Sequence, residues 1–474
     1  MSLDADAMYA AMASRDRRFE GQFVVGVRTT GIYCRPGCPA RIPKRDNVRF
    51  YACTAAAQAD GLRPCLRCRP DAAPGTPAAL GSPTTVARAL RLIAQGALDE
   101  SGIEALAERL GVTDRHLRRL FDRHLGASPL AVARTQRAHF ARKLLEETAL
   151  PMTEVAGAAG FASLRRFNDA MRATFHATPS ELRRRGGRSP SSDDAGALWL
   201  SLPLREPFAY EELLAFLAAR AIPGVERVAH GTYARTVTVG GRAGSIEVSR
   251  APGAGALSLQ VRAAPGADLF TLVARARALF DLDADPIRID AQLARDARLR
   301  RSVRAHPGLR VPGAWDGFEI AVRAILGQQV SVAAATTLAG RLVARFGQPV
   351  DGPMDGLTHQ FPTPDALARA DVASIGLPRA RAEAIRQLAR AAADGERPFE
   401  SVDGMTRLPG VGPWTAAYVA MRAGRDPDAF PSGDLALLRV SASPSSRALE
   451  AKSEAWRPWR AYAAVHLWTK GAAT

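Results

Sequence analysis

The chain has 474 residues, of which 47% are hydrophobic, so it can form several separate cores and is expected to contain about three domains. Its 64 lysines and arginines outnumber 47 acidic residues, which gives a formal net charge of +17, and the basic surplus extends over all parts of the chain. This balance favours a polyanionic partner, nucleic acid first. No segment has the pattern of a secretory signal or a membrane span, so we expect a soluble, cytoplasmic protein without a membrane partner.

All five cysteines lie between residues 34 and 68. Three residues separate Cys34 from Cys38, two residues separate Cys65 from Cys68, and 26 residues separate the two pairs. In a chain without a secretory signal this clustering favours metal binding over disulfides, and four thiolates suit tetrahedral Zn²⁺. A purely structural zinc ribbon is the alternative. Cys53 lies outside both pairs and is expected to be a small buried residue or an incidental thiol.

The segments FVVGVRTTGIYCRPGCPAR and GLRPCLRCRP carry a resemblance to a known family. They resemble the N-terminal module of the Ada-type DNA alkylation-repair proteins, over about residues 8–71. The resemblance implies that Cys34 is a nucleophile that accepts a methyl group from a DNA methylphosphotriester. It also implies that Cys34, Cys38, Cys65 and Cys68 hold one Zn²⁺. The neighbouring basic residues are candidates for holding the phosphate backbone: Arg35, Arg41, Lys44, Arg45, Arg67 and Arg69.

The charge of such a site gives methylation a physical consequence. Zn²⁺ with four thiolates has a formal charge of −2, and the metal keeps Cys34 deprotonated at neutral pH. Methylation turns one thiolate into a neutral thioether, so the charge becomes −1. Because this lowers the repulsion from DNA phosphates, methylation is expected to tighten DNA binding without a large change of fold.

Two stretches rich in Gly, Pro, Ala and Ser, at 72–84 and 185–197, are predicted linkers that bound a helical middle module. Apolar residues from Ile103 to Phe121 recur at helical spacing and are interrupted by Gly111. The pattern of helix, short turn and second helix recurs around Gly160, and a long helix is predicted between the copies.

This paired helix-turn-helix pattern resembles the AraC-type DNA-binding domains. The resemblance implies that the second helix of each unit enters the major groove of DNA. Two helical pairs that pack only on protein are the structural alternative. The candidate DNA-binding residues, whose contacts with phosphates and base edges sequence cannot separate, are Arg115, His116, Arg118, Arg119, Arg165, Arg166 and Asn168.

The C-terminal part begins with alternating apolar and polar residues, as in strands, and becomes helical from Trp315 onward. Within it, LPGVGPW predicts a loop that leads into a helix, where Gly410 and Gly412 let backbone N–H groups approach a phosphate. This pattern indicates a helix-hairpin-helix, which non-enzymatic DNA binders also use. Asp434 precedes the apolar run LALL, so its simplest interpretation is a helix N-cap.

Residues from about 197 to 470 resemble the AlkA-like 3-methyladenine DNA glycosylases, through FLAARAIPGVERV, ILGQQVSVAAATTLA and LPGVGPWTAAYVAMRA among other segments. The resemblance implies that Asp434 is the catalytic carboxylate, that Trp414, Tyr418 and Trp468 line the pocket for a flipped base, and that Gln329 wedges into the gap that the base leaves. Ordinary core packing is the alternative for the three aromatics. Since residues 408–423 include no lysine, we expect a monofunctional glycosylase without Schiff-base chemistry.

Together these patterns predict a multidomain α+β fold: a small zinc module, an all-α paired helix-turn-helix domain, and an α/β plus helix-hairpin-helix glycosylase domain. The expected boundaries are 1–75, 84–186, 197–310 and 311–474. The expected partner is double-stranded DNA, both alkylated and promoter DNA, in a bacterial nucleoid, with RNA polymerase as a candidate second partner. Because no cysteine follows Cys68, direct reversal of alkylation at guanine O6 by a second cysteine is excluded for this chain. The main alternative is a zinc-containing transcription factor with a non-catalytic DNA-binding C-terminal domain. A third alternative, a single-strand or RNA-binding protein, is disfavoured because the sequence lacks the signatures of RNA-binding modules.

Overall fold

The computed structural model describes residues 4–16, 19–65, 67–68, 70, 84–186, 197–239, 242–253, 255–263, 268–350 and 356–472. The chain forms two compact units: the first contains 1–204 with 264–274 and 282–284, and the second contains 205–263, 275–281 and 285–474. The predicted linkers fall almost wholly outside the described residues, and the four predicted domain boundaries remain predictions. Among the described helices, none combines the length and apolar character that crossing a bilayer requires.

The N-terminal module is a four-stranded sheet with short helices. Its strands are Val24–Val27, Ile32–Cys34, Val48–Tyr51 and Arg63–Pro64, arranged with the third strand at one edge, then the first, the second and the fourth. Its helices are Ala5–Ala13, Arg45–Asn47 and Thr54–Ala59. The buried apolar clusters are small, with Phe23 and Tyr33 as their largest buried members. A module with so little apolar core needs another source of stability.

The middle module is helical, as predicted. Its helices are Thr84–Ala94, Ala97–Glu100, Ile103–Arg109, Asp114–Leu125, Pro129–Glu147, Met152–Ala158, Leu164–Phe175 and Pro179–Gly186. The Thr113 hydroxyl caps the fourth of these helices, and the Ser163 hydroxyl caps the seventh. Each capped helix buries one apolar stripe, which leaves its charged residues on the outer face.

The next part of the chain contains five strands, of which Thr232–Val239, Arg242–Arg250 and Ala256–Arg262 cover the segments with the alternating pattern. The strands are Leu198–Pro203, Glu226–Ala229, Thr232–Val239, Arg242–Arg250 and Ala256–Arg262, and the helices are Tyr210–Ala218, Leu269–Leu279, Pro286–Leu293 and Ala297–Ala305. The last four strands pair antiparallel, each with its neighbour in sequence.

The remainder is mainly helical and contains the predicted hairpin. Its helices are Gly317–Leu326, Val332–Phe346, Pro364–Arg369, Val372–Ile375, Arg379–Ala393, Pro398–Glu400, Val402–Thr406, Pro413–Arg422, Leu435–Val440, Ser446–Ser453, Glu454–Trp456 and Arg460–Ala472, with a short ladder between Gln348–Pro349 and His359–Gln360. Trp456 and Trp459 are buried, in agreement with the packing roles expected of them. The predicted multidomain α+β fold class is confirmed.

A buried ion network joins the sheet of the second unit to the helix Gly317–Leu326. Glu226 accepts from the Tyr233 hydroxyl at 2.7 Å and from Arg323 at 2.7 Å, while Arg235 donates to Glu319 at 2.7 Å. Burial acts to raise the pKa of Glu226, but Arg323 and Arg235 outweigh it and lower the pKa to about 2. Glu226 is therefore ionised, and its charge is compensated inside the protein.

Replacing Glu226 with glutamine is expected to destabilise the second unit by about 3–5 kcal/mol, because Arg323 and Arg235 lose a buried counter-charge. Since the folded pKa lies below the ordinary value, the stabilisation is complete above about pH 5 and is lost as the pH falls toward 2. Urea unfolding at pH 7 and at pH 3, between the folded and the ordinary pKa of Glu226, measures both effects. The exposed Glu396→Gln is the control. An equal, small change for both variants would contradict the prediction.

Candidate metal centre and base-binding pocket

The fold brings the two cysteine pairs together through two parallel strands. Tyr33, next to Cys34, is in register with Pro64, next to Cys65, and the Cys65 N–H donates to the Tyr33 carbonyl at 2.9 Å. Each pair therefore begins where its strand ends, at the same edge of the sheet.

The four cysteine sulfurs form a cluster of the size that a metal ion requires. The Sγ atoms of Cys34, Cys38, Cys65 and Cys68 all lie within 4.8 Å of one another. A zinc tetrahedron with Zn–S bonds of about 2.3 Å has sulfur–sulfur edges of about 3.8 Å, so the ion fits this set. Cys65 and Cys68 are buried, whereas Cys34 and Cys38 are half-buried.

Crowding of the thiols separates their pKa values. Hydrogen bonding to Cys38, Cys65 and Cys68, with burial, raises the pKa of the Cys34 thiol, while the contact with Cys34 lowers the pKa of Cys38 to about 7. Four sulfurs this close cannot all ionise unless a cation compensates them, and a divalent soft-acid metal does so. The cluster is one four-cysteine Zn²⁺ site.

The basic residues around the cluster differ in their surroundings. Arg35 donates to Glu20 at 3.0 Å, and Arg45 contacts Asp6 at 3.3 Å. The others in the described residues are exposed and are the stronger candidates for phosphate contact: Arg41, Lys44 and Arg67. Arg69 lies outside the described residues.

Cys53 is outside the metal cluster, as expected. Its Sγ lies 3.5 Å from the Leu125 carbonyl, and the side chain packs against the core of the first helix-turn-helix. Burial raises the pKa of its thiol, so it is protonated at neutral pH.

Removing zinc at pH 7 with a chelator is expected to unfold the N-terminal module, because its apolar clusters are too small to hold the sheet without the metal. Hydrogen exchange measures this as a loss of amide protection within residues 19–65, with residues 356–472 of the same molecule as the internal control. Unchanged protection of the strand Ile32–Cys34 in the zinc-free protein would contradict the prediction.

The structure places the predicted DNA-binding residues on the outer faces of two helices. The helices Asp114–Leu125 and Leu164–Phe175 are each the second helix of a helix-turn-helix. Arg119 and His116 are in hydrogen-bond contact at 2.9 Å. The exposed members of the predicted set are Arg115, Arg118, Arg119, Arg165 and Arg166, and the half-buried ones are His116 and Asn168.

Asp434 is both an N-cap and the centre of a polar cluster. Its Oδ1 accepts from the backbone N–H groups of Ala436 and Leu437, each at 3.0 Å, and from the Trp468 indole at 3.2 Å. Its Oδ2 accepts from the Trp414 indole at 3.0 Å. The carboxylate is thus held by four donors, and Oδ2 keeps more acceptor capacity than Oδ1.

The three predicted pocket aromatics lie together beside Asp434. Trp414 and Tyr418 stack with their centroids 5.5 Å apart and their planes at 17°, and Trp468 lies 6.3 Å from Tyr418. All three are half-buried, whereas a core aromatic would be enclosed. They form an aromatic cage, which we define as these three residues with Phe216, whose ring lies 6.3 Å from Trp468.

Two arginines support this cage, and sequence reasoning did not find them. Arg422 donates to the Tyr418 hydroxyl at 2.8 Å, and the guanidinium of Arg220 lies 3.7 Å from the Phe216 ring centroid. Burial acts to raise the pKa of Tyr418, but the two guanidiniums lower it below its ordinary value. In the sequence, Phe216 and Arg220 lie four residues apart on a segment that the family resemblance covers, but no local pattern links them to Tyr418.

The two glycines of the hairpin loop differ in backbone conformation and in surroundings. Gly410 has φ +78°, which favours glycine, whereas Gly412 has φ −89° and a Cβ added there would meet nothing within 4 Å. Neither backbone conformation nor packing within the protein therefore accounts for Gly412. Gln329 is exposed on a separate loop and has φ +55°, which is strained for a non-glycine residue.

Four family models match successive parts of the chain. Residues 7–71 match the metal-binding domain of Ada, and 106–185 match a helix-turn-helix domain. Residues 199–316 match the AlkA N-terminal domain, and 322–458 match the HhH-GPD superfamily of base excision DNA repair proteins.

Individual relatives are similar over all or part of the chain. The DNA-3-methyladenine glycosylase 2 of Escherichia coli is 35% identical over 278 residues, which cover 56% of this chain and 96% of that protein. A solved 3-methyladenine DNA glycosylase from Archaeoglobus fulgidus shares the fold, with a TM-score of 0.52 at 21% identity over 57% of this chain and 98% of its own. The probable bifunctional transcriptional activator/DNA repair enzyme AlkA of Mycobacterium tuberculosis is 46% identical over 479 residues, which cover 98% of this chain and 96% of that protein. This chain therefore belongs to the family of bifunctional transcriptional activator/DNA repair enzymes to which that AlkA protein belongs.

Proposed function

We propose that this chain excises alkylated bases such as 3-methyladenine from DNA, accepts methyl groups from DNA methylphosphotriesters, and regulates transcription through its helix-turn-helix domain. The observation that carries the proposal is Asp434, a carboxylate held by two indole N–H groups beside an aromatic cage. The similarity of the chain to the E. coli DNA-3-methyladenine glycosylase 2 supports the choice of substrate.

The cage suits a cationic base. An N-alkylated purine carries positive charge, and the faces of Trp414, Tyr418 and Trp468 attract such a ring by stacking and cation–π interaction, worth roughly 0.5–2 kcal/mol each. The charge also makes the base a good leaving group. The duplex must first expose it, so extrusion of the nucleotide precedes the chemistry.

Asp434 supports the bond cleavage. As the sugar–base bond breaks, positive charge develops on the deoxyribose, and the carboxylate stabilises this oxocarbenium-like state. Oδ2, which accepts from Trp414 alone among the described contacts, retains acceptor capacity for the attacking water. Water then completes the hydrolysis. With no lysine in 408–423, we propose a monofunctional glycosylase.

Cys34 supports the second repair activity. Its sulfur attacks the methyl carbon of the phosphotriester, the S–C bond forms as the C–O bond breaks, and the phosphodiester leaves as an anion. Bound Zn²⁺ keeps the sulfur deprotonated. The product is a stable thioether, so this site acts once per molecule.

The other residues singled out in the sequence are assigned to DNA binding. The exposed arginines of the two second helices would bind promoter DNA. Gly410 and Gly412 would contact the DNA backbone near the lesion, and Gln329 would occupy the gap left by the base. As a transcriptional activator the chain would also contact RNA polymerase, and its DNA affinity would place it with the bacterial nucleoid.

One assay tests both repair activities by their stoichiometry. Duplex DNA methylated with a radiolabelled reagent is incubated with the protein, and free base and protein-bound label are measured over time. We expect released 3-methyladenine to exceed one equivalent per protein, while label on the protein stops at one equivalent. Protein-bound label without any base release would instead favour a zinc-containing regulator with a non-catalytic C-terminal domain.

A further inference from the structure

Gln328, the neighbour of the proposed wedge residue, makes two hydrogen bonds to the hairpin. It follows the helix Gly317–Leu326, and its Nε2 donates to the Gly410 carbonyl at 3.0 Å and to the Thr415 Oγ1 at 3.0 Å. Because a backbone carbonyl only accepts, the contact with Gly410 fixes which end of the amide faces the hairpin. We call this pair of contacts the Gln328 bridge.

The bridge joins two loops that the proposed function places against DNA. One is the hairpin loop, where Gly410 has a left-handed backbone and Gly412 is open to close approach. The other carries Gln329, which is exposed and strained at φ +55°. Strain of this kind persists only where neighbouring contacts hold it, and the bridge is such a contact on the adjacent residue.

The bridge adds little stability, because the helices Gly317–Leu326 and Pro413–Arg422 are already held together by apolar packing. Ile325 and Ala324 already share an apolar core with Val411, Ala416 and Val419. Gly410 is exposed, so water can hydrate its carbonyl when Gln328 is absent. Loss of the bridge should therefore alter the position of the Gln329 loop more than the stability of the fold.

We propose that Gln328 is a positioning residue that couples the hold of the hairpin on the DNA backbone to the insertion of Gln329 into the duplex. This proposal rests on the proposed glycosylase function. A phosphate held at the hairpin N–H groups fixes Gly410, and the bridge then fixes the loop that must enter the base stack. The hairpin contact with the phosphate and the insertion of Gln329 thus occur at a fixed distance from each other, and both contacts stabilise the extruded state of the base.

The test separates extrusion from chemistry. Base release is measured in single turnover on a duplex with one 7-methylguanine, placed opposite cytosine or opposite an abasic site, where little pairing opposes extrusion. Gln328→Met keeps the length of the side chain and removes both hydrogen bonds. We expect the rate to fall roughly tenfold opposite cytosine, as for the loss of a net hydrogen bond, and by no more than about twofold opposite the abasic site.

Two further variants exclude a packing effect. Gln328→Glu places a carboxylate against the Gly410 carbonyl and should be at least as damaging as the methionine opposite cytosine, although its shape is that of glutamine. Thr415→Val removes one half of the bridge at constant volume and should show the same dependence on the opposing site, even if Gln328→Met does not fold.

The outcomes are distinct. A rate unchanged by Gln328→Met, or reduced equally on both substrates, would overturn the positioning role while leaving the glycosylase intact. Failure of the unmodified protein to release base from either duplex would instead overturn the proposed function, and with it this proposal.

Discussion

Replacing Asp434 with asparagine is expected to reduce base release by about 10²–10³-fold or more in single turnover. The substitution removes the negative charge that stabilises the developing oxocarbenium ion. Asparagine caps a helix as well as aspartate does, so the helix Leu435–Val440 should be retained. The variant therefore separates the two roles that Asp434 has in the structure.

The contacts of Asp434 add a second reason for the loss. All four of its partners are N–H donors: two backbone amides and the indoles of Trp414 and Trp468. If the amide oxygen of asparagine takes the place of Oδ1, its NH₂ group faces the Trp414 indole, donor against donor. We therefore expect the Trp414 ring to move as well as the charge to be lost.

The control lies in the same molecule. Methyl acceptance at Cys34 does not depend on the second unit's carboxylate, so the Asp434→Asn protein should still take up one methyl group. Asp394→Asn, at an exposed position, should leave base release unchanged. Base release within about tenfold of the unmodified rate in the Asp434 variant would show that another group performs the reaction.

Much of this arrangement could be predicted from local sequence. The spacing of Cys34, Cys38, Cys65 and Cys68 predicted the metal cluster, because few chemistries other than metal binding call for such pairs. The helix-turn-helix pattern could also be predicted, since the caps at Thr113 and Ser163 involve backbone N–H groups only three residues ahead. These are short-range effects, and the structure agrees with them.

The orientation of side chains across long separations could not be predicted in this way. The aromatics of the pocket were named from the resemblance as stacking faces, but nothing in the sequence indicates that Trp414 and Trp468 also direct their N–H groups to Asp434, 20 and 34 residues away. Arg422 has the position of an ordinary basic residue in a last helical turn, yet it is buried and bonded to Tyr418. Such contacts depend on tertiary packing, which cannot be predicted from a local sequence pattern.

The second large effect is expected for methyl transfer to the N-terminal module. Replacing Cys34 with alanine is expected to abolish methyl uptake from methylphosphotriester DNA, because the only sulfur assigned as nucleophile is removed. Mass spectrometry of the digested protein measures this as the absence of a methylated cysteine. In the unmodified protein, one methyl group should appear on the peptide that contains Cys34.

Loss of a metal ligand must be distinguished from loss of the nucleophile. Three thiolates and a water can still complete a zinc tetrahedron, so the Cys34→Ala protein should retain metal when its zinc content is measured. Cys53→Ala is the matched control, since Cys53 lies outside the cluster, and it should accept methyl normally. Base release by both variants should equal that of the unmodified protein. A methyl group found on Cys38, Cys65 or Cys68 of the zinc-loaded Cys34→Ala protein would contradict the assignment, because it would mean that a sulfur other than that of Cys34, at the end of the strand Ile32–Cys34, can accept the methyl group.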